Sequence, residues 1–303
     1  MKIALIGPFP PYRGGISMFN HSLSEELNKD HDLFKVSFSR QYPKFLFPGK
    51  SEIDEINDNS SERIIDSLNP FSWKKVAYRL IELNPDLVIF QFWHPYFSIC
   101  YLSIIKRLTK CKKTKIILNC NNILPHEKFP FDGYLAKKLL QSANSIIVMS
   151  KEVEKQLHNL IDKPNYKKLN HPNYKVFGKP ISKSSAKKKL DIKRSKVMLH
   201  FGLIRNYKGL DVLLRAIKKI QNQLDDFLLL VAGECYEDEK YYANLIDELE
   251  INSIVNLNLK FIPKEEVSTY FCASDVVILP YRSATQSGII PIAYQYLKPV
   301  IVS

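Results

Sequence analysis

A chain of 303 residues with 45% hydrophobic content can bury a full core, and its length suits two domains better than one. No stretch reaches the roughly 18 uninterrupted apolar residues of a membrane span, Met1-Lys2 runs straight into Ile3-Ala4-Leu5-Ile6 without a signal-peptide pattern, and the five scattered cysteines make no CxxC pair. These features read as a reduced, cytoplasmic protein, and the net charge of +13 turns attention to anionic partners.

The chain opens with strand KIALIG, loop PFPPYRGG and helix ISMFNHSLSEEL, in which Ile16, Phe19, Leu23 and Leu27 keep helical spacing. Gly14 and Gly15 fall between strand end and helix start, where open α/β sheets bind ligands. A strand over 33–38 follows, then the aromatic and polar stretch 40–69, which reads as a long loop or flap. Helices over 72–83, 97–108 and 135–142 alternate with strands over 86–92, 115–118 and 145–149, and Ser150 caps a helix running through Leu160. Such alternation means a parallel sheet with helices on both faces. His94, Asn122, His126 and Glu127 then lie just past strand ends, on one rim with Gly14 and Gly15. His126 gains weight from Glu127 beside it and Asn122 before it; for a lone histidine such as His94, a structural place is the commoner one.

The rhythm lapses near 175–180, and a second series starts at Val197. A strand over 197–201 breaks at Gly202, and a loop with Arg205, Lys208 and Gly209 leads to helical spacing at Leu210, Leu213, Leu214 and Ile217. Two cations and two glycines between a strand and a helix start suit a bound anion. The spacing is neither a P-loop nor G-x-G-x-x-G. A strand over 227–232 ends at Gly233-Glu234; helices over 239–250 and 264–273 and strands over 254–259 and 276–279 follow. The polar loop 283–288 enters a helix over 289–296, a second helix start friendly to anions, and 300–302 begins another strand.

Charge is uneven. Between Lys151 and His200 there are fourteen Lys/Arg against four Asp/Glu, including Lys187-Lys188-Lys189. This segment reads as a solvated linker face or as a surface for anionic lipid headgroups or an acidic substrate. No nucleic-acid-binding motif accompanies it, so nucleic acid is not an expected partner.

Taken in order, Gly14-Gly15-Ile16, FGLIRNYKG of 201–209, AGE of 232–234, ASDVVILPYRSATQSGII of 273–290 and KPVI of 298–301 make the chain resemble the GT-B glycosyltransferases of family 4, retaining enzymes that use nucleotide-sugar donors. The resemblance runs over essentially the whole length. It implies an α/β protein of two doubly wound, Rossmann-like parallel-sheet domains: an acceptor-side domain over 1–175 and a nucleotide-sugar-binding domain over 176–303. It implies that Arg205 and Lys208 hold the diphosphate, and that Ser287 and Gly288 offer backbone N–H groups to it. Gly14, Gly15, Asn122, Glu234 and Gln286 complete the expected donor contacts, with His126, Glu127 and His94 as the expected catalytic groups. No metal and no cofactor beyond the donor are implied. The implied acceptor is a glycan or lipid-linked sugar of the bacterial cell envelope, met by a cytoplasmic protein in peripheral contact with anionic membrane. Family members continue for a further βαβ unit and a returning helix, so the second domain is expected to be incomplete. Ala284 and Ile292 stand where the family often has a Glu pair, Leu203 where it has a basic residue, and Asn121 where it has a histidine. These departures keep open a catalytically weak nucleotide-sugar-binding homologue acting through partners, with a sugar-nucleotide epimerase as a minor third reading.

Overall fold

The computed structural model describes residues 1–43, 53, 60–111, 114–125, 129–172, 177–284 and 287–303. His126, Glu127 and Gln286 lie outside the described residues, as does most of the expected flap. The chain divides into two compact units, Met1–His171 and Pro172–Ser303.

In the first unit β1 (Lys2–Ile6), β2 (Asp32–Arg40), β3 (Glu62–Asp66), β4 (Leu87–Phe92), β5 (Lys115–Cys120), β6 (Ser145–Val148) and β7 (Tyr166–Lys168) form a parallel sheet in the order β3-β2-β1-β4-β5-β6-β7. Helices α1 (Gly15–Leu27), α2 (Pro70–Leu83), α3 (Ser98–Cys111), α4 (Asp132–Gln141) and α5 (Lys151–Leu160) connect the strands. Strand side chains alternate between two layers. Ile3, Leu5 and Ile89 pack with Leu23 and Leu27 of α1. Ala4, Ile6, Val88 and Phe90 pack instead with Val76 of α2, Ile104 of α3, Leu139 of α4 and Val153 of α5. So α1 covers one face and α2 to α5 the other, as right-handed crossovers require. The order reverses between β1 and β4, which opens a crevice at their carboxyl ends.

Three elements are absent from the sequence reading: the strands β3 and β7, and the short helix Lys183–Lys189 of the second unit. The stretch 40–69 contains β3, paired parallel to β2 with register shifts at Ser37/Phe38 and Phe38/Arg40. Its outer charges are held by neighbours: Arg40 donates to Asp66 at 2.9 and 2.6 Å, and Arg79 donates to Glu62 at 2.8 Å. With only Ile64 and Ile65 apolar, this strand carries almost no signal of its own. The short edge strand β7 was likewise invisible, because it consists of Tyr166-Lys167-Lys168.

In the second unit β8 (Lys196–Phe201), β9 (Phe227–Ala232), β10 (Val255–Asn258), β11 (Val276–Leu279) and β12 (Val300–Val302) form a parallel sheet ordered β10-β9-β8-β11-β12. Helices α6 (Lys183–Lys189), α7 (Leu210–Ile220), α8 (Glu239–Glu248), α9 (Lys264–Ala273) and α10 (Ile289–Gln295) accompany it. Leu210, Leu213, Leu214 and Ile217 of α7 pack on Leu229 and Val231 of β9, as their spacing demanded. Here the order reverses between β8 and β11, so the crevice lies between Gly202 and Pro280. Among the described residues, no helix is long and apolar enough to cross a membrane.

Candidate active site

The second unit gathers its polar groups at that reversal. Gly202 follows β8 with φ +108°, and Gly233 follows β9 with φ +149°. A Cβ on Gly233 would lie 2.0 Å from the Gly202 carbonyl oxygen, so the two strand ends meet backbone to backbone. The chain after β8 then runs beside the chain after β9. Ile204 N–H donates to the Glu234 carbonyl at 2.9 Å, and Tyr236 N–H donates to that of Ile204 at 3.1 Å. A short 3-10 turn, Asn206–Lys208, ends at Gly209, which has φ +69°. A side chain there would strike the Pro280 carbonyl oxygen, only 2.0 Å from an ideal Cβ. Glycine is thus required on both conformational and steric grounds.

This packing turns Lys208 back toward the end of β8. Its Nζ lies 3.4 Å from where a Cβ on Gly202 would be, 3.3 Å from Tyr281 Oη, and 5.0 Å from the Tyr281 ring centre. Burial pulls the Lys208 ammonium below the ordinary lysine value; Tyr207 opposes this, and the charge of Arg205 adds to it. Arg205 lies over the Tyr236 ring at 5.2 Å. Among the described residues, neither cation has a carboxylate within ion-pair distance. Ile289 Cδ1 approaches the same Gly202 position at 3.3 Å, which brings the start of α10 to the site. Ser287 hydrogen-bonds Tyr281, and a Cβ on Gly288 would meet nothing within 4 Å. Glu234 is 4% exposed, and its Oε2 has no partner among the described residues. A buried carboxyl oxygen of this kind calls for a hydrogen-bond partner.

Gly202, Lys208, Ser287 and Gly288 therefore converge, with Arg205 and Glu234 beside them on the two neighbouring strand-end loops. Sequence reasoning passed over Tyr281, which seats Lys208, and Arg282. The latter donates to Asp211 at 2.6 Å and to the Asn206 carbonyl, pinning the loop that carries both cations. The only available signal was their place in the PYR tripeptide after β11.

In the first unit Gly14 has φ +106° and precedes α1, whose start has no side-chain cap and no acidic residue in its first turn. A Cβ on Gly14 or Gly15 would meet nothing within 4 Å, leaving open space over those N–H groups. His94 and Asn122 stand two residues beyond the paired positions Phe92 and Cys120, on adjacent strand ends of the same rim. His94 Nδ1 accepts from Tyr96 N–H at 3.1 Å, so this ring caps the turn Pro95–Phe97 and its proton sits on Nε2. Burial lowers the His94 pKa, with Asp132 opposing. The ring is therefore neutral near pH 7 and able to donate from Nε2. Asn121 and Asn122 each keep an Oδ1 without a partner among the described residues.

Residues 182–303 match the family described as Glycosyl transferases group 1. A curated relative, GDP-mannose:glycolipid 4-beta-D-mannosyltransferase of Xanthomonas campestris pv. campestris, is 25% identical over 115 residues, or 34% of this chain. That match spans only 29% of the relative's length. Among solved structures, Anabaena Alr3699/HepE in complex with UDP superposes with TM-score 0.76 at 16% identity, covering 100% of this chain and 80% of that one. Sucrose-phosphate synthase from Thermosynechococcus elongatus gives TM-score 0.73 at 14% identity, covering 100% and 81%. Those likenesses establish the fold. The family likeness rests on residues 182–303, the greater part of the second unit.

Proposed function

We propose that the protein is a retaining glycosyltransferase that moves a sugar from a nucleotide-sugar donor to a glycan or lipid-linked acceptor. The observation that carries this reading is Lys208, a buried cation with no carboxylate partner among the described residues, held between the glycine end of β8 and the start of α10. Such a group is costly to bury alone and is relieved by a bound anion. When the bond from the anomeric carbon to the donor breaks, the leaving nucleoside diphosphate gains negative charge. Lys208 and Arg205, fixed before the reaction, stabilise that charge without reorganising. Glu234 accepts from a donor hydroxyl. On the first unit's rim the neutral His94 donates from Nε2, and Asn122 offers an unpartnered oxygen; His126 and Glu127 are assigned to the same acceptor-side chemistry. Alr3699/HepE, the like-folded structure, holds UDP, which supports a nucleoside diphosphate as the ligand here.

Isothermal titration with UDP, GDP and ADP tests the reading. One of the three should bind, and the sugar conjugate of that base should give a product of unchanged anomeric configuration by NMR. Absence of binding for all three would refute it. A second reading, a nucleotide-sugar-binding protein with little turnover, draws on Ala284 and on Ile292, which is 5% exposed, at positions where the resemblance led to carboxylates. Donor binding without transfer to any acceptor would favour it.

A further inference from the structure

One buried histidine of the second unit has no part in the transfer chemistry described above. Strand side chains alternate, so His200 stands on the face of β8 that carries Met198, which packs against the cluster holding Leu210 and Leu213 of α7. The ring is fully buried there, near the strand end from which the loop of Arg205 and Lys208 departs. Its Nδ1 donates to the Ile278 carbonyl of β11 at 3.1 Å. The paired register of β8 and β11 covers Val276↔Met198 and Val277↔Leu199, and Pro280 has no N–H with which to extend it. The side chain therefore fastens the two strands where they part toward Gly202 and Pro280.

With its proton on Nδ1, the ring presents a bare Nε2, which is an acceptor. That nitrogen is buried and has no partner among the described residues. A buried acceptor left in this state costs stability that an apolar side chain at the same place would not. Lys208 is near enough to meet it. Burial keeps the ring neutral, opposed by the bond to Ile278 and assisted by the charge of Lys208. An ammonium has three protons to donate. Among the described residues, Lys208 gives one to Tyr281 Oη, at a long 3.3 Å.

We infer that His200 is a positioning residue for Lys208: when a diphosphate binds, the ammonium donates to His200 Nε2 as well as to the ligand, and the ring, tied to β11 through Nδ1, fixes where that charge stands. The inference rests on the proposed nucleotide-sugar reading, since it needs a diphosphate at Lys208. The choice of a neutral acceptor has a physical reason. A carboxylate at this place would pair with Lys208 and compete with the anion, whereas an imidazole nitrogen orients the ammonium and leaves its charge for the ligand.

The experiment is a double-mutant cycle read by calorimetry with UDP, GDP and ADP, joined to long-range proton–nitrogen correlation spectra of the histidine rings. His200→Asn keeps an amide N–H where Nδ1 stands and removes the acceptor at Nε2. It should raise the dissociation constant of the nucleotide that binds about three- to tenfold, the worth of one hydrogen bond. In a Lys208→Ala background the same change should add no further loss, whereas a histidine that only fills the core would cost as much in both. The spectra need no change at His200, so they decide even if His200→Asn fails to fold. Nδ1 should carry the proton in the free protein. The bare Nε2 resonance should shift on nucleotide binding in the wild-type protein and stay in place in Lys208→Ala at saturating nucleotide. A proton on Nε2 in the free protein, an Nε2 resonance indifferent to bound nucleotide, or equal affinity losses in the two backgrounds would overturn the inference and return His200 to the core. Absence of binding for all three nucleotides would refute the transfer reading and the inference together; binding with an indifferent Nε2 would refute the inference alone.

Discussion

Replacing Lys208 by alanine tests the centre of the donor site with two readouts of opposite sign. A charge-assisted contact to a diphosphate is worth about 1.5–3 kcal/mol, so the dissociation constant of the cognate nucleoside diphosphate should rise roughly ten- to a hundredfold. The same change should not weaken the free protein. Among the described residues Lys208 donates to a tyrosine oxygen, at 3.3 Å, and to no carboxylate, and its ammonium bears a burial penalty, so its removal strands no charge among them. Proton linkage sharpens the point. The folded-state pKa lies below the ordinary 10.5, so between those values the unfolded chain binds more protons. The free protein therefore gains stability as pH rises through that window. Lys208→Ala should abolish this gain, measured as urea midpoints across the alkaline range, while calorimetry at neutral pH reads the loss of affinity. In the wild-type protein, affinity should itself fall in the alkaline range as Lys208 loses its proton. An unchanged dissociation constant, or a variant destabilised at neutral pH, would refute the assignment of Lys208 as an anion-holding cation.

Other outcomes follow from single contacts. Gly209→Ala places a Cβ 2.0 Å from a carbonyl oxygen at positive φ, and should cost more than about 2 kcal/mol in urea unfolding; a loss below about 1 kcal/mol would show that the loop yields. Gly15→Ala adds a methyl in open space at the start of α1, so stability should hold or rise by up to about 1 kcal/mol while donor turnover drops; retained turnover would move the ligand away from α1. His94→Gln should reduce turnover more than donor affinity, since Nδ1 is already engaged by Tyr96 N–H and Nε2 remains to act; a collapse of affinity with intact turnover per bound donor would make His94 a binding group. His200 is fully buried with Nδ1 donating to the Ile278 carbonyl at 3.1 Å, and burial brings its pKa down to about 4. The unfolded histidine protonates first as pH falls, so stability should decline by about 3 kcal/mol between pH 6.5 and 4 through this residue. His200→Leu should flatten that part of the acid limb of a stability–pH profile; an unaltered slope would assign the acid sensitivity elsewhere.

Much of this architecture could be read from the chain alone, and the reason is local periodicity. β9 and β11, with the helix α7, fall where their apolar residues placed them, because a parallel strand buried on both faces is apolar throughout and a helix on a sheet shows a 3.6-residue stripe. The strands that escaped, β3 and β7, lie at the two edges of their sheet and take their order from neighbours rather than from their own residues, and the lysine-rich α6 escaped with them. The loops that bring Arg205, Lys208, Glu234, Ser287 and Gly288 together were legible because glycines and charges gather at strand ends. Their interplay was not, since Tyr281 and Arg282 reach the loop of residues 205–208 from more than seventy positions away.

Sequence by itself determined the strand–helix alternation, the positions of the glycine-bearing strand-end loops and the excess of positive charge. These depend on which residues recur at short spacing, and short spacing is written along the chain. Tertiary structure alone decided which cations stand unpaired among the described residues, and that His94 is committed through Nδ1. Burial, ion pairing and proton affinity depend on distances across the sheet, between residues the chain holds far apart, and only the folded backbone sets those distances.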